Sequence, residues 1–277
     1  MFSTCFRYPA VLFLTSLIYV LVPSLASASH SWGGYHWRSD NAPPVTIRLV
    51  DNLTGAWDPP GYLNPVATKW GAGYNNPDDS PSIPSAVTPT VEGGTLSNVR
   101  KCSAITGTVQ VCNTTYGNNG WLGVAQIWIS GGHITKGSVK LNDTYFNTAS
   151  YNTTAWRNLV LCQEVGHTFG LDHQNENFSD PNLGTCMDYT NNPESNQWPN
   201  KHDFQQLRDI YAHLPDAPTS GTPGKGSGKM PPGMYRDLHE PSEWGKLIRE
   251  SQGGRTAVYE RDFGGGHKVF TFVIWAR

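Results

Sequence analysis

Charge is scarce in this chain. Only 15% of its 277 residues are Asp, Glu, Lys or Arg, and 20 basic residues against 22 acidic ones leave a formal net charge of −2. No basic stripe marks it for nucleic acid, and no block of like charges marks a tail. No internal repeat is evident. Past the first residues no second apolar run appears, so no membrane span is expected there. Cysteine is sparse too: five residues, of which Cys5 stands near the start and none lies between 29 and 101. What is plentiful is Gly, Pro, Asn, Ser, Thr and Trp, a composition that suits a loop-rich extracellular protein.

The start of the chain reads as an export signal. Arg7 gives a positive beginning, Ala10 to Val22 is mostly apolar and ends at Pro23, and Ala26-Ser27-Ala28 has the small-x-small form of a cleavage site. The run is shorter than the roughly 20 apolar residues that a comfortable span needs. Residues 1–28 are therefore expected to leave as a signal peptide, and the mature protein to be secreted, extracellular and free of the membrane. Cys102, Cys112, Cys162 and Cys186 would remain in an oxidising compartment, an even set that allows three pairings. Cys102–Cys112 is the favoured first pair, because it brackets Ile105-Thr106-Gly107-Thr108, which reads as a hairpin tip. In a eukaryotic secretory route Asn52, Asn113, Asn142, Asn152 and Asn177 would be glycosylation acceptors.

The chemistry lies in Cys162-Gln163-Glu164-Val165-Gly166-His167-Thr168-Phe169-Gly170-Leu171-Asp172-His173. Positions 163 and 167 are four apart and share one face of a helix, so both side chains can reach one ion. Glu164 is rotated about a quarter turn and can reach a metal-bound water without being a ligand. Gly170 tolerates the left-handed conformation that ends a helix, and the turn it makes would bring His173 to the ion from another side. A catalytic zinc uses three protein ligands and a water whose pKa falls to about 7.

With Gly184-Thr185-Cys186-Met187-Asp188-Tyr189 following shortly, the pattern resembles a metzincin zinc protease of matrixin, astacin or serralysin type. The resemblance covers residues of about 43 to 214 and is most specific at 164–173 and 186–189. It implies a twisted mixed sheet with the motif helix beneath it and a helical lower part. Further implications are Glu164 as general base, His167 and His173 as zinc ligands, Met187 as an apolar floor and Tyr189 as a stabiliser of the transition state. A disulfide Cys162–Cys186 would then tie the motif helix to the Met turn. In the family one antiparallel edge strand runs along the cleft and pairs with bound peptide; residues 124–129 or 138–141 are the candidates.

The departure is Gln163, which stands where the family has its first histidine ligand. An amide oxygen is a harder and weaker donor for zinc than imidazole, though amide carbonyls do bind metals. Three outcomes are open: Gln163 is the third ligand, or Tyr189, Asp172, His133 or His202 takes that place, or no metal binds. The first two outcomes make the chain a secreted zinc endopeptidase acting on protein or peptide; the last makes it a non-catalytic relative that binds through the same cleft. A structural wall or matrix protein would require the motif to be accidental.

Around the motif the expected order is as follows. Residues 29–42 form an exposed N-terminus, with no propeptide-sized domain and no cysteine switch before the first strand, 45–51. Asp58 to Trp70 holds a short helix, and 75–90 is loop. Val109–Val111, Val124–Ile129 and Ser138–Leu141 are strands. Trp156 to Phe169 is the motif helix, capped by Thr153 or Thr154, and Asp203 to Ala212 is a second helix. The fold class is α+β, with a metzincin-like domain over 29–214, a Pro/Gly/Ser-rich linker over 215–233 and a small αββ segment over 234–277. In that segment Glu243 to Glu250 would be a short helix, before a hairpin turning at Gly264-Gly265-Gly266.

Overall fold

The structure is a computed structural model that describes Met1 and residues 30–58, 61–94, 96–213 and 230–276. The expected signal peptide, apart from Met1, and the linker up to residue 229 lie outside the described residues. Among the described residues no helix is long and apolar enough to cross a membrane.

The strands are β1 (His36–Trp37), β2 (Val45–Asn52), β3 (Val87–Gly93), β4 (Thr108–Thr114), β5 (Trp121–Ser130), β6 (His133–Asn142), β7 (Lys246–Glu250), β8 (Thr256–Asp262) and β9 (His267–Trp275). The helices are α1 (Leu63–Ala72), α2 (Asp143–Phe146), α3 (Thr154–Thr168) and α4 (Lys201–Tyr211). The sheet order is β3-β2-β4-β6-β5-β9-β8-β7, with β1 added beside β6. Strands β3, β2, β4 and β6 run parallel. Strand β5 reverses against β6, and β9, β8 and β7 continue antiparallel. The α+β class is therefore observed, as one large mixed sheet with few helices.

Local chemistry explains the elements. In β2, Val45, Ile47 and Leu49 are buried and the residues between them exposed, as a half-buried strand requires. Gly131 and Gly132, both at positive φ, make the tight turn from β5 to β6. Thr153 caps α3 by accepting from the Trp156 amide, and Asn200 with Asp203 forms a capping box on α4. The main core lies between the sheet and α1, α3 and α4, with Leu49, Val111, Ile127, Val165, Phe169 and Leu207 at its centre. A smaller core covers the opposite face, where Met234, Leu238 and Trp244 pack on Trp121, Val124 and Trp128.

Several expectations need correction. Residues 105–108 are not a hairpin tip: Cys112 lies in β4, which pairs parallel with β2 and β6. The 75–90 loop gives way to β3 at Val87, a strand hidden from pattern reading by Pro89 and by its half-exposed alternation. The N-terminal stretch is exposed only in part: His30, His36 and Trp37 are buried and β1 pairs with β6, while residues 40–42 are exposed. Residues 243–250 are not a helix; a short 3-10 turn, Pro241–Glu243, leads into β7. The C-terminal piece is not a separate αββ unit but three strands that extend the main sheet. Asn52, Asn113 and Asn142 are buried, and the Asn142 amide donates to the Gly117 and Trp121 carbonyls, so these three cannot serve as glycan acceptors in the folded chain. Asn152 is exposed and Asn177 half-buried.

Candidate functional site

Helix α3 carries the motif and is buried along its whole length after Thr154. It ends as its glycine requires. Gly170 has φ +100°, the Leu171 amide donates to the Gly166 carbonyl, and the Gly170 amide donates to that of His167, which together form a Schellman stop. Two more terminal carbonyls are satisfied from outside the helix. The Trp37 indole donates to Thr168 at 2.7 Å and the Tyr211 hydroxyl to Phe169 at 3.0 Å. A Cβ on Gly170 would collide with the Tyr35 carbonyl, so the N-terminal stretch also needs this glycine.

Gln163 sits within this helix at 1% exposure, and neither its amide oxygen nor its amide nitrogen has a hydrogen-bond partner. Leaving such groups unpaired in a buried site is costly, and a primary amide rarely does so twice. One residue on, Glu164 accepts from the backbone N–H of Ala125 in β5, while its Oε2 has no partner. Burial pushes its carboxyl well above the ordinary range. Gly123 makes this approach possible: a Cβ there would lie 2.6 Å from Val160 Cγ1 and 2.8 Å from Glu164 Oε1.

His167 is buried and its Nδ1 lies 2.9 Å from the Leu171 carbonyl oxygen, so Nδ1 carries the hydrogen and donates it. Burial holds the ring well below its ordinary pKa, so it stays neutral with Nε2 bearing a lone pair. Its edge meets the His173 ring face, centroids 4.5 Å apart. His173 Nδ1 lies 2.7 Å from the Tyr189 hydroxyl. Burial keeps Tyr189 a neutral phenol, and its ring stacks on Phe178. Met187 lies against the helix: its Sδ would be 2.6 Å from a Cβ on Gly166. The disulfide Cys162–Cys186 joins helix and turn, and Cys102–Cys112 closes the other pair, as expected.

Of the alternative ligands, Asp172 is next to the site, while His202 is stacked on His30 and His133 lies against His36. Asp172, His173 and Glu176 bring donor atoms within reach of one ion. Arg249 of β7 already bridges both carboxylates, with its Nη1 2.7 Å from Asp172 Oδ2 and its Nε 3.0 Å from Glu176 Oε1. Burial, the largest single influence, pushes the Asp172 carboxyl up, but the Arg249 hydrogen bond, the nearby charges of His173 and Arg249 and the His173 backbone N–H together outweigh it and leave the group below its ordinary value.

Sequence reading brought Gln163, Glu164, His167, His173, Met187 and Tyr189 to one place and missed what covers them. Phe272 of β9 lies flat on the His167 ring, and Arg249 clasps the loop that carries His173. The apolar alternation of 269–274 was visible; that it lands on this helix was not. Neither of the two candidate cleft strands is the expected edge strand: 124–129 lies in β5, which is antiparallel and holds Glu164 but is paired to β6 and β9, and 138–141 lies in β6 between β4 and β5. No protein-family model matches the chain, and no curated protein matches it.

Proposed function

We propose that this protein is a secreted zinc-dependent endopeptidase. The observation that carries the reading is the buried, unpartnered amide of Gln163, one helical turn from a neutral His167 whose ring meets that of His173. A donor set of this kind fits a zinc ion: His167 and His173 would hold it by imidazole nitrogen, and Gln163 would add its amide oxygen. The bound ion would supply Lewis acidity toward a water and a peptide carbonyl.

The remaining chemistry belongs to the chain. Glu164 Oε2 would take the proton from the attacking water and return it to the departing amine. The Ala125 amide holds that carboxylate in place. The Tyr189 hydroxyl, a neutral donor beside His173, would stabilise negative charge on the carbonyl oxygen. Met187 and the Cys162–Cys186 link keep the turn packed under Gly166. Strand β5 lies on Glu164, but both of its edges are paired, to β6 and to β9, so an extended peptide would line up beside Glu164 along β5 only where β9 gives way. The antiparallel setting of β5 beside the motif helix and the helix α4 behind it support a metzincin-like reading.

Elemental analysis and peptidase assays of the secreted protein test this. About one zinc per chain, activity removed by chelator and activity lost in Glu164→Ala are expected. Full activity in excess strong chelator would sink the reading. A second reading, a peptide-binding protein without turnover, is favoured by the pairing of β9 along β5, beside Glu164; it forecasts bound zinc with no cleavage of any peptide library.

A further inference from the structure

The strand that would receive substrate is already occupied. β5 pairs with β6 along one edge and, along the other, with β9 from Ser130↔His267 to Trp121↔Trp275. Ala125, whose amide holds Glu164, is the Cα partner of Phe272. The Phe272 ring lies on His167 at 4.2 Å between centroids and is fully buried. We propose that β9 is an internal plug: the chain's own C-terminal strand takes the place of an extended peptide and holds the protein latent. The proposal rests on the peptidase reading for the meaning of the cleft.

Three features favour a releasable plug over a permanent core strand. First, polar groups on the motif helix stay unsatisfied while β9 is paired to β5: the Gln163 amide and Glu164 Oε2 are buried without a hydrogen-bond partner. An evolved permanent core pairs or removes such groups. Second, the polar clasps to the site loop come from the neighbouring strand β7 and from the turn before β8, and they are half-exposed except at Asp172. The Arg249 and Glu176 side chains are 33% and 31% exposed, Arg249 also lies over Trp32, and Arg255 lies over Phe178. Third, the covalent link from β8 to the plug is an exposed hairpin loop, Gly264, Gly265 and Gly266, all at positive φ, so one cut there would leave β9 held by its pairing with β5 on one side and β8 on the other and by packing.

The test places a site-specific protease sequence in that loop of the full chain, so that the protein folds before it is cut. Three measurements follow: zinc content, hydrolysis of a fluorogenic peptide library, and fluorescence anisotropy of a labelled synthetic peptide with the sequence of residues 267–275. Uncut protein should exclude the labelled peptide and hydrolyse slowly. Cut protein should exchange β9 for it, and hydrolysis should rise by about ten-fold or more, as expected if the open form is a few per cent of the uncut population. Added unlabelled peptide should reverse the rise. Phe272→Ala in uncut protein should raise peptide binding in the same direction. Uncut protein that hydrolyses as fast as cut protein overturns the plug, and so does cut protein that neither exchanges the peptide nor gains activity. Zinc-loaded cut protein that exchanges the peptide and cleaves nothing overturns the peptidase reading alone and leaves β9 as the plug of a binding cleft.

Discussion

The imidazole of His167 lies flat against the phenyl ring of Phe272, 8° from parallel, although 105 positions separate them in the chain (272 − 167). A helix residue placed by local spacing thus meets a strand residue delivered by the sheet, and both the proposed metal chemistry and the proposed closure turn on that contact.

The amide at position 163 should limit metal affinity. Replacing Gln163 by His supplies an imidazole on the same face as His167, a better zinc donor than an amide oxygen. Zinc affinity, measured by competition with a chromophoric chelator, is expected to rise about ten-fold or more. His167→Ala should lower it more than Gln163→Ala. An unchanged affinity in Gln163→His would remove position 163 from the ligand set.

Gly123 should matter to chemistry more than its size suggests. A methyl group there would press on Val160 and on Glu164 Oε1. Gly123→Ala is therefore expected to displace the carboxylate, lowering kcat about ten-fold or more while zinc stays bound. A cost of roughly 1–3 kcal/mol in stability, typical of overpacking, should accompany it. Steady-state kinetics beside metal analysis checks this; unaltered kcat would mean that the helix yields without moving Glu164.

Burial pushes the Asp203 carboxyl up from 3.8 to about 6, against hydrogen bonds from Thr185, the Asn200 amide and Gln174 that pull it down. A folded pKa above the unfolded one contributes stability that is fully present below pH 3.8 and lost as pH rises through about 6. The loss across that window is about 3 kcal/mol. His30 and His202, whose pKa values burial lowers, contribute in the opposite sense over part of the same range. The difference between wild type and Asp203→Asn isolates the Asp203 share. Urea unfolding from pH 4 to 7 should give a gap that shifts by that amount, and parallel pH profiles would refute it.

The two disulfides should differ in consequence. Cys162–Cys186 spans 24 residues of sequence and Cys102–Cys112 spans 10. Loop-closure entropy makes them worth about 3.5 and about 2.7 kcal/mol. Replacing Cys162 and Cys186 by Ser should lower both the melting temperature and zinc affinity, because that link holds Met187 under the motif helix. Replacing Cys102 and Cys112 should lower the melting temperature alone. Equal effects on zinc would sink the distinction.

The local parts of this molecule were readable in its residues, because they depend on short-range geometry. Four-residue spacing puts Gln163 and His167 on one helix face, glycine at 170 stops the helix, Thr153 caps it, and the cysteines beside Gln163 and Met187 foretold their link. Tertiary structure alone decided the rest. Backbone pairing carries no sequence label, so the alternation in 267–275 announced a strand but not that its partner is β5. Pro89 and weak alternation hid β3, and a parallel β4 looked like half a hairpin. The burial of Asn52, Asn113 and Asn142 follows from which face of the sheet each meets, a property of packing that no sequon states. The sequence by itself determined which groups could do chemistry; the fold decided that they lie buried, with Gln163 unpartnered and with Phe272 of β9 resting on His167.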